Sequence, residues 1–198
     1  MELNEILRRR YSCRDYNNKK VLDKDLFFIL NNAVLAPNAG NLQSWRFIIV
    51  EDEDKKEEVT TACLQQRWMN KASVHIVVLS NLGYLKMHYK DRAELYAVQD
   101  STLAVGNILL LAASLNIDTC FVSAFDEEML RRSLKIPSNV IPHCVITLGY
   151  SNKKVEEKKR FPLNSLMFFE TYGDKQDGKK IIPLKETFKK KISKIKKR

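Results

Sequence analysis

The stretch VQDSTLAVGNILLLAASL, residues 98–115, is the longest apolar helical run in the chain and limits how everything else can be arranged. Leu103, Gly106, Asn107, Leu110, Leu111 and Ser114 are interleaved among alanines and leucines, so no broad polar face is left for water. Such a helix is either a central buried element or part of a subunit interface. Around it the sequence supplies buried-strand patterns at 45–50, 74–79 and 144–150 and an extended segment at 119–125. Helices are expected at 2–10, 23–36, 55–70 and 126–134. In the second of these Leu26, Ile29, Leu30, Ala33 and Val34 recur at helical spacing behind Asp23 as N-cap. The charged run 51–58 reads as a solvated helix start. Strands and helices alternate irregularly, without βαβ repeats, so the class is α+β rather than a doubly wound sheet.

At 198 residues the chain fits one domain with an arm. No run of about 18 apolar residues is present, so no membrane span is expected. The N-terminus, Met1-Glu2-Leu3-Asn4-Glu5, lacks the apolar stretch of a secretory signal, and a cytoplasmic location is expected. Cys13, Cys63, Cys120 and Cys144 are dispersed, as are His75, His88 and His143, with no metal-ligand spacing. The cysteines read as buried thiols, and no metal site is expected. The net charge of +10 suggests a nucleic-acid binder until it is located. From Lys179 to Arg198 there are ten Lys and Arg against Glu186 alone, which leaves the body nearly neutral. Nucleic acid is therefore not the expected partner of the body.

Three segments could carry chemistry. The loop Pro37-Asn38-Ala39-Gly40-Asn41-Leu42-Gln43-Ser44 sets three side-chain amides and a glycine directly before a core strand. Amides carry donors and acceptors together, which suits the edge of a planar heterocycle, and equally suits a turn. In Arg8-Arg9-Arg10-Tyr11-Ser12-Cys13-Arg14-Asp15-Tyr16, positions 10, 12 and 14 face one way if the segment is extended. Forked guanidinium donors with a hydroxyl between them match a phosphate, and a solvated basic helix end is the other reading. Lys158-Lys159-Arg160 forms a second basic cluster. There is no G-x-G-x-x-G, no Walker A pattern and no catalytic triad or Cys-His motif, and the acid pairs lie in charge runs. A phosphate clamp and an amide loop without an acid–base group point to a bound cofactor that carries the chemistry.

The blocks Arg10-Tyr11-Ser12-Cys13-Arg14, Ala36-Pro37-Asn38-Ala39-Gly40-Asn41-Leu42-Gln43-Ser44-Trp45 and Leu148-Gly149-Tyr150, in that order, resemble the FMN-dependent nitroreductase family over roughly residues 2–165. The resemblance implies a mixed, mainly antiparallel sheet flanked by helices, with a C-terminal arm that crosses a homodimer. It divides the chain into a 1–165 FMN-binding domain and a 166–198 extension. Arg10, Ser12 and Arg14, with Tyr11 in the same segment, would hold the FMN phosphate and ribityl chain, and Lys158 and Arg160 would complete the phosphate site. Pro37, Asn38, Ala39 and Asn41 would approach the flavin ring of the neighbouring subunit. Gln66, before Trp68, corresponds to a position near the pyrimidine edge. Asp118 and Thr119 fall at a turn whose amides face flavin N5 and O4.

Some positions depart from the family pattern. Asn38-Ala39 stands for Ser-Ser or Ser-Ala, Ser44 for Pro, Phe121 for Trp, and Asn116 and Asp118 for glycines. A carboxylate at 118 would oppose an anionic reduced flavin unless it points elsewhere. The implied activity passes hydride from NADH or NADPH through flavin N5 to a small organic acceptor, a nitroaromatic or quinone, with no catalytic side chain of its own. Free flavin or a halogenated aromatic is the alternative acceptor. Tyr84, Tyr89 and Tyr96 lie where the family varies its substrate cover. A different reading makes the chain a non-catalytic anionic-surface binder acting through its tail, where Leu184, Phe188, Ile192 and Ile195 share a helical face. The narrow stripe favours packing on a second subunit. The Gly106-Asn107 pair either lets helices approach closely or is merely tolerated.

Overall fold

The computed structural model describes residues 1–153, 155 and 158–175. They fall in two compact units, Met1–Glu156 and Glu157–Arg198. In the first, α1 (Leu3–Arg9) and α2 (Asp23–Ala33) precede β1 (Trp45–Val50), α3 (Glu53–Ala62), β2 (Val74–Asn81) and α4 (Gly83–Tyr89). Next come α5 (Ala93–Ser114), β3 (Asp118–Val122), α6 (Glu127–Leu134) and β4 (Val140–Gly149). The sheet runs in the order β1-β2-β4-β3 with every neighbouring pair antiparallel. A parallel bridge between Ser12 and Thr119 adds the segment after α1 to its edge, so the fold is α+β with a mainly antiparallel, mixed sheet, as expected.

β2 is central and buried along both faces, which is why its sequence is apolar without alternation. On one face Val74, Ile76, Val78, Cys144, Ile146 and Leu148 pack against α2 and α5 through Ile29, Val105, Ile108 and Ala112. On the other face Val77, Leu79, Val122 and Val145 meet Val59, Ala62 and Leu130 of α3 and α6. Each fully buried aliphatic side chain contributes about 1.5–3 kcal/mol. The helix apolar all round is thus the central one. Gly83–Ser114 is long and apolar enough to cross a membrane by length and composition, but here α5 buries Ala104, Val105, Ile108 and Ala112 inside the fold. A Cβ at Gly106 would meet nothing, while the Asn107 amide reaches the Ala33 carbonyl. Within the chain, then, Gly106 marks no close approach.

Several local expectations are corrected. Leu22, not Asp23, is the N-cap of α2, and Asp23 and Asp25 sit in its first turn, where carboxylates suit the helix dipole. The helix expected over 55–70 stops at Ala62. Leu64 and Gln65 take left-handed backbone, and a 3₁₀ turn covers Arg67–Lys71. The charged run does start α3, with Asp52 accepting the Lys55 amide, yet Lys56 within it is buried. Its ammonium donates to the carbonyl of Ala72 at 2.9 Å and pairs with Glu53 at 3.0 Å. α4 was not anticipated. Pro142, which has no N–H to give, coincides with a register slip between Val78 and Leu79.

The second unit holds the short α7 (Leu163–Leu166) after Pro162, and Phe168 and Tyr172 with ring centroids 4.6 Å apart. The amphipathic face at Leu184, Phe188, Ile192 and Ile195 lies outside the described residues.

Candidate functional site

α1 ends at Arg9, and the chain continues extended along the edge of β3. The Cys13 amide donates to the Thr119 carbonyl at 2.9 Å. Extension makes side chains alternate: Ser12 and Arg14 are exposed, and Cys13 is buried. A buried titratable group beside this segment is the thiol of Cys120 in β3. Burial pushes that thiol up, and Arg14 is the strongest influence pulling it back, with the Ser12 hydroxyl and Arg10 also lowering it and Cys13 opposing them. The Arg14 guanidinium sits 5.9 Å from the Trp68 ring centroid. Tyr11 is half-buried against Cys13, Tyr16 and Ala72, and burial is the main reason its phenol is held above the usual range. Two guanidiniums and a hydroxyl on one surface, with apolar anchors behind them, form a donor set for a phosphate.

The amide loop folds as a turn on top of α5. Ala39–Asn41 is 3₁₀, and Gly40, Asn41 and Gln43 have φ of +55, +56 and +49. Asn38 Oδ1 accepts the Gln43 backbone amide at 2.9 Å, and the Gln43 side chain donates to the carbonyl and Oδ1 of Asn41 at 3.3 Å, so all three side-chain amides help build the turn itself. The Ala39 amide donates to Asp100 at 2.9 Å. Asp100 is buried, its other oxygen has no partner, and burial, more than the Ala39 amide, sets its pKa, pushing it up. A cavity of about 430 Å³ opens here, lined by Pro37, Asn38, Ala39, Tyr89, Tyr96 and Asp100 among others. Tyr89 and Tyr96 meet edge to face at 4.9 Å. Sequence reasoning missed Asp100, although it is the single charge between 95 and 117. Buried acids are rare without a partner, and that isolation was the available signal.

Gln66 caps the Arg67–Lys71 turn and is half-buried, its amide donating to the Cys63 carbonyl at 3.0 Å. Asp118 and Thr119 lie in β3 rather than in a turn, paired with Gly149 and Leu148. The left-handed residue is Asn116, at φ +60, a conformation Asn tolerates. The Asp118 carboxylate is directed to Arg9 and to the Ser151 amide. Ser44, in place of Pro, is buried with its hydroxyl unpartnered, and Phe121 is exposed. Lys158, half-buried, and Arg160, whose guanidinium donates to the Lys159 carbonyl, belong to the second unit. Trp45 is a core residue.

His75 supports this region from below. Its Nε2–H donates to the Met69 carbonyl at 3.0 Å, and its Nδ1 is buried without a partner. Burial is the largest reason its pKa falls to about 4, with the Lys56 cation also lowering it. The folded value lies below the unfolded one of about 6.5, so the unfolded chain takes up the proton first. This contribution is complete above about pH 6.5 and is lost as pH falls towards 4, a loss of about 3 kcal/mol. Urea midpoints at pH 7.5 and 4.5 test it. His75→Gln should flatten the slope, and an unchanged slope would assign the effect elsewhere.

The family model described as Nitroreductase family matches residues 7–68 and 61–150. A protein of Archaeoglobus fulgidus, designated by assignment only as an NADH dehydrogenase/NAD(P)H nitroreductase, is 34% identical over 150 residues, covering 74% of this chain and 83% of its own. A solved nitroreductase family protein of Clostridium difficile superposes with a TM-score of 0.76 at 25% identity, over 86% of this chain and 99% of that one. The hypothetical oxidoreductase YcnD of Bacillus subtilis gives a TM-score of 0.80 at 22% identity over 96% and 78%, a likeness of fold alone.

Proposed function

The chain belongs to the nitroreductase family, and from that premise we propose that it is an FMN-dependent NAD(P)H oxidoreductase that works as a homodimer on a small organic acceptor such as a nitroaromatic or quinone. The observation that carries this reading is the extended segment after α1, bridged to β3 at Ser12 and Thr119, which leaves Ser12 and Arg14 exposed on the side opposite buried Cys13 with Arg10 in the same alternation. That donor set fits the phosphate of FMN, and the cavity beside Pro37, Asn38 and Ala39 fits a flat ring presented by a second subunit. NAD(P)H as reductant is taken from the designation of the Archaeoglobus relative. FMN, when bound, supplies two-electron chemistry between a reduced nicotinamide and the acceptor.

The chain's own part is holding and orientation. Arg10 and Ser12 would hold the phosphate end of FMN, and Arg14 would offset negative charge on the reduced flavin. Asn38 and Ala39, pinned by the Gln43 amide and by Asp100, present a fixed edge to the neighbour's ring. Gln66, Lys158 and Arg160 enter from the resemblance only, Gln66 as a residue that would lie near the pyrimidine edge and the two basic residues as completing the phosphate site. A homodimer is supported by the apolar side chains exposed on α1 (Leu3, Leu7), α2 (Phe27, Phe28) and α5 (Leu95, Val98, Leu103).

The absorption spectrum of the purified protein, with the chromophore released by heating identified, tests the reading. Yellow protein that releases FMN is expected, and a colourless protein that takes up no added FMN would sink it. Charge-assisted hydrogen bonds are worth roughly 1.5–3 kcal/mol each, so Arg14→Ala should weaken FMN binding about ten- to a hundredfold. Flavin-fluorescence titration checks this, and an unchanged affinity would remove Arg14 from the site.

A further inference from the structure

We propose that Arg9 is a positioning residue: its guanidinium bridges Asn116 and Asp118 and thereby fixes where Arg10 and Ser12 are presented. The functional side of this inference rests on the FMN reading above. Arg9 closes α1, and its guanidinium spans two acceptors. Nε donates to Asn116 Oδ1 at 3.0 Å, and Nη1 donates to Asp118 Oδ1 at 3.1 Å. The second Asp118 oxygen accepts the Ser151 amide at 2.9 Å, so the carboxylate ties the end of α1 to the chain leaving β4 as well as to β3. The side chains of Arg9 and Asp118 are 22% and 7% exposed, so water screens this pair less than an ordinary surface ion pair.

Geometry connects the bridge to the clamp. Asp118 holds Arg9, and the next residue of β3, Thr119, accepts the Cys13 amide and bridges Ser12. Only Arg10, Tyr11 and Ser12 lie between these two attachments, so both ends of the phosphate-facing segment are fixed to adjacent residues of one strand. Loss of the Arg9 attachment frees one end, and Arg10 and Ser12 are then no longer held in a fixed position. Lysine would not substitute, because a single ammonium cannot reproduce a planar fork on two acceptors. Glycines at 116 and 118 would leave the fork nothing to hold. The two departures from the family pattern and Arg9 therefore form one device, which also turns the Asp118 charge away from the clamp.

The test pairs FMN titration by flavin fluorescence with amide hydrogen exchange on the cofactor-free chain. Arg9→Ala is expected to weaken FMN about tenfold, and Arg9→Lys to recover only part of that loss. Exchange at the Cys13 amide should quicken about tenfold while the β2 amides keep their protection. Asp118→Asn, which keeps the acceptor but not the charge, should move both readouts the same way by less, and stands in should Arg9→Ala fail to fold. Unchanged FMN affinity in Arg9→Ala overturns the proposal, as does exchange that quickens evenly through β2, because the effect would then be general destabilisation. A parent chain that takes up no FMN sinks the cofactor reading instead, and the Cys13 amide alone then decides whether Arg9 holds the segment.

Discussion

Lys56→Ala is expected to destabilise the chain by about 3–4 kcal/mol. The ammonium is 2% exposed and lies against the carbonyls of Ala72 and Asn70, at 2.9 and 3.4 Å, with Glu53 as its counter-charge. Truncation removes the donor from buried carbonyls, which costs about 1–3 kcal/mol, and leaves a void where the butyl stem packed. Lys56→Met separates the two terms, since it keeps most of the volume and loses only the bonds, and should cost about 1–2 kcal/mol. Urea melts of the three proteins decide. A loss of a few tenths for Met would show that the carbonyl bonds contribute nothing. The effect should extend to function, because the carbonyls concerned belong to the segment that carries Trp68 beneath Arg14. FMN affinity should therefore fall in Lys56→Ala along with stability.

Gly149→Ala is the second large effect, a destabilisation of about 2–3 kcal/mol. A Cβ on Gly149 would meet Tyr16 Cδ1 at 2.7 Å and two more ring atoms at 3.3 Å. The ring has nowhere to go: Tyr16 is buried, its hydroxyl is 2.7 Å from the Thr147 hydroxyl, and Cys13 and Ala72 pack beside it. Gly149 faces Asp118 across the β3–β4 ladder, so displacement of Tyr16 disturbs the strand edge that carries the clamp. Gly106→Ala is the control, since a Cβ there meets nothing within 4 Å and the change should gain up to about 1 kcal/mol from helix propensity. Ala tolerated at 149 within the error of thermal melts, with Tyr16 unmoved, would refute the packing account.

How much of this was legible beforehand depended on whether the partner was near in sequence. The bounds of β1 came out as expected and those of β2 ran two residues longer, because buried strands announce themselves through β-branched runs. α4 escaped notice, although Leu82, Leu85 and Tyr89 sit at helical spacing, because Gly83 and the surrounding aromatics resemble a loop. Lys56 was placed in a solvated run because a charge pattern cannot register the carbonyls that a following turn brings over it. Asp118 stood out only as an acid in a glycine's place. Its partner, Arg9, is 109 residues away and looked like one basic residue among three.

By itself the sequence determined the α+β class, a long helix apolar nearly all round, and the four buried thiols. These follow from the periodicity and composition of short windows. Only the tertiary structure decided that the segment carrying Ser12 pairs with β3 at Thr119, that Asp100 pins the amide loop, and that Arg9 takes up the charge of Asp118. Each of these depends on two segments meeting across the sheet edge or over α5. Meetings of that kind are set by how the whole core packs, and no window of the chain contains both sides of them.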